Sequence, residues 1–393
     1  MIEKYFDKAP SHGFVSLYVG KTIVLIATAL LGIFLPIFLY DLFGQDLRMT
    51  VVYYGVGYLL YGLTVSFGAR FLNDFGFRRA LRISVLLGAA FYTIFYFINT
   101  ENARYLIPLS VLVIVFFRLF YWVPYHVDFA KFTNKKDRGR QVSVLNASYL
   151  AAGVFIPLIS GYIISHFGFD VLFLIAIILY LVSGIPYLTI PRTREKFSWG
   201  FLETWKQFFS RKRRKIVLAY MADGAENVVG IVIWPIFIYQ LLNGDYFQVG
   251  AISTFIVGVT VGAQLLLGKK MDENDSKKDA LKWGSFLYSA GWVVKIFITT
   301  AFHIFMVGAY HSVAKIFLRT PFDALTYEIA ADQGHFVDEF TVLHEIAINF
   351  GRALMAVLII AASFYLAIQW TFILAAASAI VFNLLSERQE RFV

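Results

Sequence analysis

Apolar residues run along this chain in blocks of about 20 or more, the length an α-helix needs to cross a bilayer. Twelve blocks are predicted as helices, near 14–41, 50–72, 81–98, 105–129, 141–165 and 170–190, then 216–242, 248–268, 280–300, 303–328, 341–363 and 366–385. The expected fold is an all-α polytopic membrane protein, with 12 transmembrane helices in two pseudo-symmetric six-helix bundles. The expected domains are an N-terminal bundle over 1–190, a cytoplasmic amphipathic basic linker over 191–215 and a C-terminal bundle over 216–393.

A repeat supports the division. PIFLY at Pro36 to Tyr40 returns as PIFIY at Pro235 to Tyr239, each followed by an aspartate, Asp46 and Asp245. SVLNASYLAAG at Ser143 to Gly153 is echoed by TVLHEIAINFG at Thr341 to Gly351, and Pro124 and Arg118 by Pro321 and Lys315. The offset stays between 197 and 200 residues. Solenoid units run about 20–50 residues, so this period reads as a duplicated bundle. A duplicated bundle in a membrane suggests a transporter with its site between the halves.

Composition agrees. The hydrophobic fraction is 59% and the charged fraction 16%, against about 25% charged in soluble domains. Without cysteine there is no disulfide and no thiol chemistry. The net charge of +9 could suit nucleic acid, but the basic residues fall in short connectors, as topology signals and anionic-lipid contacts do. Membrane lipid is therefore the expected macroscopic partner, and nucleic acid is not. The basic connectors hold Arg78, Arg79 and Arg82; Lys131, Lys135, Lys136, Arg138 and Arg140; Lys269, Lys270, Lys277 and Lys278; and the run Arg211 to Lys215. This side is expected to face the cytoplasm of a plasma (inner) membrane, with both termini inside. The first apolar run is too long for a signal-peptide core. In the linker, Trp199, Leu202, Trp205, Phe208 and Phe209 fall at helical spacing beside the basic run. They predict a helix lying in the headgroup region, with a tether that dips transiently into lipid as the other reading.

Two six-helix halves, cytoplasmic termini and a long basic connector resemble the major facilitator superfamily across essentially the whole chain. The family's Gly-x-x-x-Asp-Arg-x-Gly-Arg-Arg loop is matched by Ala69 to Arg79, with Ala69, Asn73 and Phe77 departing from it and Gly76, Arg78 and Arg79 retained. The second half has Gly268 and Asp272, followed by Lys277 and Lys278. The resemblance implies a conformational latch of Asn73, Asp74, Arg78 and Arg79 with Asp128, and of Asp272 and the two lysines with Glu328; the alternative is that these charges set topology alone. Arg118 resembles the helix-4 arginine of proton-coupled exporters. Ala152, Pro157, Ser160 and Gly161 resemble their small-residue stretch in helix 5. Both fragments favour efflux over uptake.

Ionisable residues inside apolar runs are costly, about 2.5–3.5 kcal/mol on insertion scales, and normally face a cavity or a partner. Arg118 and Lys315 fall at the middle of their helices as repeat equivalents, which predicts two cations meeting at the pseudo-symmetry axis. Asp223, Glu226 and Asn227 lie on helix 7; His311, Lys315, Arg319 and Asp323 form a stripe on helix 10; Glu345, Asn349 and Arg352 share one face of helix 11. The first half supplies Arg118, Asn146, Trp122, Tyr125 and other aromatics. Substrate-binding and coupling roles are expected for this set, with Glu226 leading as proton carrier, then Asp223 and Glu345. The other reading is internal pairing within the C-terminal bundle.

His344 and Glu345 begin a zinc-protease motif that Ile348 does not complete, and no phosphate loop is present. No metal, no cofactor and no enzymatic activity are expected; the proton gradient is the expected driving force. The predicted function is secondary active transport of a small polar or amphipathic organic solute by alternating access, the protein working as a monomer. The rival is a non-transporting receptor or assembly partner with a transporter fold.

Overall fold

The computed structural model describes residues 10–132, 138–192, 197, 199–272, 277–331 and 337–386, and among them there is no strand. The helices are α1 (His12–Leu31), α2 (Phe34–Leu42), α3 (Leu47–Phe75), α4 (Phe77–Phe97), α5 (Ala103–Phe132), α6 (Arg138–Leu188), α7 (Phe201–Phe208), α8 (Arg214–Val228), α9 (Trp234–Leu241), α10 (Tyr246–Asp272), α11 (Lys277–Lys295), α12 (Ala301–Ala331), α13 (Val337–Ser363) and α14 (Phe372–Val381). Ten stretches among the described residues are long and apolar enough to cross a membrane. One of them turns at Gly168 (φ 81°) inside α6 and so makes two passes. With the more polar α11, this gives the twelve-helix arrangement. The predicted break near residues 166–169 falls at Gly168, whose non-helical backbone angles separate the two passes.

The repeat is visible in the backbone. α1 and α2 form one interrupted pass, and α8 and α9 form another around a π-helical turn, Val229–Ile233. Pro36 and Pro235 sit just beyond these interruptions. A proline has no N–H to donate one turn back and crowds the carbonyl there, so the duplicated proline loosens both helices at equivalent places. Both passes end in left-handed turns, Gly44 and Gln45 in one, Asn243 and Gly244 in the other. Asp46 then caps α3 by accepting from the Arg48 N–H at 2.8 Å, and Asp245 caps α10 by accepting from the Gln248 N–H at 3.0 Å. The repeated aspartates are N-caps.

Within the first bundle α1 packs on α6, and α4 on α5 and α6; within the second α8 packs on α13, and α11 on α12 and α14. The bundles meet along α3 with α13 and α6 with α10, two crossings that the repeat interchanges. Large apolar side chains such as Phe97, Phe255, Phe297 and Phe302 remain exposed on the outer faces, as lipid contact requires.

The connector helix differs from its prediction. α7 is only 8 residues long, and its aromatics divide between two environments. Phe208 is buried and Trp205 is set against Phe350 of α13, while Trp199 is buried under the Arg213 guanidinium. Leu202 and Phe209 are exposed, at 81% and 74%. Three of the five predicted lipid-facing residues are therefore protein contacts, two against the Phe350 ring of α13 and one under Arg213.

Candidate functional site

Three polar clusters occupy the interior. The first joins the bundles. The Tyr58 ring, on α3, carries the Arg118 guanidinium at 4.8 Å and the Arg352 guanidinium at 4.9 Å. Arg352 Nη1 donates to Asn349 Oδ1 at 3.3 Å, and Asn349 Nδ2 donates to the Glu345 backbone carbonyl at 2.8 Å and to its carboxylate at 3.4 Å. Spacings of three and four on α13 bring these groups onto one face. The Glu345 carboxylate lies within electrostatic reach of Arg352 and Arg118, with Tyr61 beside it. Among the described residues, Arg118 Nη1 and Arg352 Nε are buried without a hydrogen-bond partner. Buried donors are normally satisfied, so this cluster has donor capacity for a ligand.

The second cluster surrounds a cavity of about 280 Å³ lined by His126 of α5 and by Asp223, Arg319, Asp323, His344 and Glu345 of the second bundle. Arg319 Nη1 donates to Asp223 Oδ1 at 2.7 Å. Glu345 belongs to both clusters. The third lines a cavity of about 180 Å³ with Glu226, Asn227, Tyr288, Trp292, Lys295, His311 and Lys315. Tyr288 Oη donates to Glu226 Oε1 at 2.5 Å.

The predicted stripe on α12 is thus divided: His311 and Lys315 line the smaller cavity, Arg319 and Asp323 the larger. The two cations predicted at the pseudo-symmetry axis are found in different surroundings. Arg118 shares the Tyr58 ring with Arg352, and Lys315 lines a cavity with Glu226. Trp122 and Tyr125 surround a cation the sequence reading passed over, Lys21 of α1, whose ammonium lies 4.2 Å from the Trp122 ring and 4.7 Å from Tyr125. Lys295 was also missed; it lies 3.8 Å from the Trp234 ring and 3.9 Å from Trp292. A lysine inside an apolar run was the available signal for both.

Of the latch residues, Asp128 is buried, Arg78 half-buried, and Asp74 and Arg79 exposed. The side chains of Asn73, Asn146, Asp272 and Glu328 lie outside the described residues. The neighbouring Arg82 instead reaches the last turn of α6, donating to the carbonyls of Tyr187 and Leu188. A cation there satisfies terminal carbonyls and complements the helix dipole. No cluster of potential metal ligands occurs among the described residues.

Two membrane bundles joined by a pair of symmetry-related crossings, with charged cavities between and beside them, are the architecture of a two-bundle polytopic membrane protein. The family model of the Major Facilitator Superfamily matches residues 17–314, and the chain belongs to that family. A solved transporter of the POT family in complex with 5-aminolevulinic acid superposes with a TM-score of 0.72 at 12% identity, over 97% of this chain and 96% of that one. The human organic anion transporter TETRAN gives a TM-score of 0.70 at 12% identity, over 95% and 99%. Among curated proteins, the uncharacterized YqgE of Bacillus subtilis (strain 168) is 21% identical over 280 residues, 69% of this chain and 64% of that protein. That match therefore spans less than two thirds of its length.

Proposed function

We propose that this protein is a proton-coupled secondary transporter that moves a small polar or amphipathic organic solute by alternating access, working as a monomer in the plasma (inner) membrane. The reading is carried by the cluster in which Glu345, through Asn349 and Arg352 of one bundle, meets Arg118 of the other across the Tyr58 ring. Rocking the bundles changes the distance from Glu345 to Arg118, whereas Arg352, on the same helix as Glu345, travels with it. Proton affinity depends on nearby charge, so it differs between the two states, and a proton can be loaded in one and released in the other. Glu226 takes second place as carrier. Its neighbours Tyr288, Lys295 and Lys315 all lie in the second bundle, and rocking keeps them together.

The basic connectors assign one end of the molecule to the cytoplasm. On that reading the opposite end, where Asp41 and Tyr239 are hydrogen-bonded, is external, and the cavity of about 280 Å³ around Arg319 and Asp223 faces the cytoplasmic side. The exporter-like fragments around Arg118 and Gly161 support efflux. The test is reconstitution in proteoliposomes with an imposed pH gradient. Wild-type protein concentrates a solute only with the gradient. Glu345→Gln still equilibrates the solute but no longer concentrates it. Undiminished accumulation by Glu345→Gln would remove the residue from coupling.

A further inference from the structure

The smaller cavity reaches sideways from α8 into the C-terminal bundle, as far as the peripheral helix α11. Lys295, Lys315 and His311 line it, and Glu226 is the carboxylate among its lining residues. Lys295 is 2% exposed, and its ammonium sits between two indole rings at 3.8 and 3.9 Å. Two ring faces offset only part of the cost of burying that ion. Among the described residues neither Lys295 nor Lys315 makes an ion pair. Glu226 carries one negative charge against the two ammonium groups, and its Oε1 also accepts from Tyr288 at 2.5 Å, so one positive charge is left over. His311 stacks on Tyr288 at 4.2 Å and meets Trp292 edge-on at 4.5 Å, and its buried Nδ1 has no hydrogen-bond partner. The recess therefore holds more positive charge and more unpaired polar capacity than its own residues answer.

The space has a structural origin. Gly230 lies in the π-helical turn, and a Cβ there would stand 3.7 Å from Glu226 Oε1 and 3.9 Å from the Trp292 ring. Those are ordinary contact distances, so the missing side chain is free volume. π-turns inside helices often mark functional sites. Lys315 is exposed and stands at the mouth, while Lys295 is buried at the back.

We infer that this recess receives the negatively charged group of the transported solute, a carboxylate or another small oxyanion on an organic molecule, held by Lys295 and Lys315 beside the Trp292 ring. The inference rests on the transport reading above and names its solute class. The rest of the solute extends past Lys315 into the space between the bundles.

Binding, rather than flux, tests it. Full-length protein in nanodiscs is titrated with acetate, succinate, benzoate, methylphosphonate and sulfate at constant ionic strength, and tryptophan fluorescence is read. At least one anion gives a saturable change, because Trp234 and Trp292 flank the Lys295 ammonium. The apparent affinity falls by at least about tenfold in Lys315→Gln and in Lys295→Gln. Gly230→Val, which fills the recess and keeps every charge, weakens it similarly. If Lys295→Gln does not fold, the other two variants decide. The inference is overturned if none of these anions gives a saturable response, or if the response is unchanged in both Lys315→Gln and Gly230→Val. Proteoliposome flux of a neutral or cationic solute without anion binding would sink this inference alone. Lysine-dependent anion binding without any flux would sink the transport reading alone.

Discussion

Tyr239 Oη donates to Asp41 Oδ2 at 2.9 Å, joining the two bundles at one end of the molecule. Gln240 Nε2 donates to Tyr40 Oη at 2.6 Å, and the two bonds are related by the repeat. Tyr40 corresponds to Tyr239 and Asp41 to Gln240, so each half offers a tyrosine and receives a polar partner. The symmetry is broken by charge. Asp41 also accepts from Tyr246 Oη at 2.6 Å, a second bond that Gln240 has no counterpart for among the described residues. Hydrogen bonds to a charged group contribute about 1.5–3 kcal/mol each. Asp41→Ala is expected to shift the protein by at least about tenfold toward the form open at this end. Tyr239→Phe removes one donor and shifts it less. Distances between spin labels on the two bundles report the change; an unaltered distribution in Asp41→Ala would show that the bonds do not hold this end closed.

The Asp223–Arg319 pair makes a different prediction, because both residues lie in one bundle. The Asp223 side chain is 7% exposed and that of Arg319 32%. Removing one partner of a fully buried pair costs about 3–5 kcal/mol. Arg319 borders a cavity that hydrates it, so Asp223→Asn is expected to cost about 2–3 kcal/mol. The double variant Asp223→Asn with Arg319→Gln recovers part of that loss. Thermal melts of the four proteins form the cycle, and additive losses would show that the pair is not coupled.

Asp46 supplies a pH dependence outside the membrane-spanning segments. Partial burial opposes its ionised form, but the Arg48 side chain and the backbone N–H groups of Arg48 and Met49 outweigh it and hold the carboxyl below its usual 3.8. A depressed folded value means that the cap stabilises fully above the unfolded value and is lost as pH falls through the folded one. Wild type therefore loses more melting temperature than Asp46→Asn between about pH 5 and pH 3. Parallel curves for the two proteins would refute this.

How much of this could be read from the chain depends on what each residue type reveals. A formal charge inside an apolar run is conspicuous, so Arg118, Glu226, Lys315 and Arg352 were legible as interior groups. Their partners were not. The repeat states which positions are equivalent within the bundles, and equivalent positions touch only where they approach the pseudo-symmetry axis. Tyr40 and Tyr239 lie close enough for their neighbours to exchange bonds. Arg118 lies on the Tyr58 ring beside Arg352 and Lys315 lines a cavity with Glu226, and the contact of α3 with α13 accounts for Arg352 at that ring. The aromatic surroundings of Lys21 and Lys295 were hidden for another reason: in a chain with 41 phenylalanines, 23 tyrosines and 7 tryptophans, no local pattern marks the rings that face a cation.

Gly161, a remnant of the small-residue stretch in helix 5, acquires a physical role at the crossing of α6 and α10. A Cβ at Gly161 would stand 2.6 Å from the Tyr246 carbonyl oxygen, and one at Gly250 would stand 2.3 Å from that of Pro157. Both obstacles are backbone, so neither moves aside as a flexible side chain would. The two carbonyls belong to opposite bundles, and the added methyl acts as a wedge between them. By contrast, Gly224 and Gly351 meet backbone carbonyls at 1.9 Å within one bundle, where α8 crosses α13. Overpacking typically costs about 1–3 kcal/mol, but the two sites release it differently. Gly351→Ala has no relief except distortion of its own bundle and is expected to lower the melting temperature. Gly250→Ala can relieve the clash by separating the bundles, so it is expected to leave folding largely intact and favour the form open at that end. Inter-bundle label distances and melting curves, read on both variants, separate the outcomes. A Gly250→Ala protein with lowered stability and unchanged distances would mean that the crossing is a fixed joint rather than a surface that parts during transport.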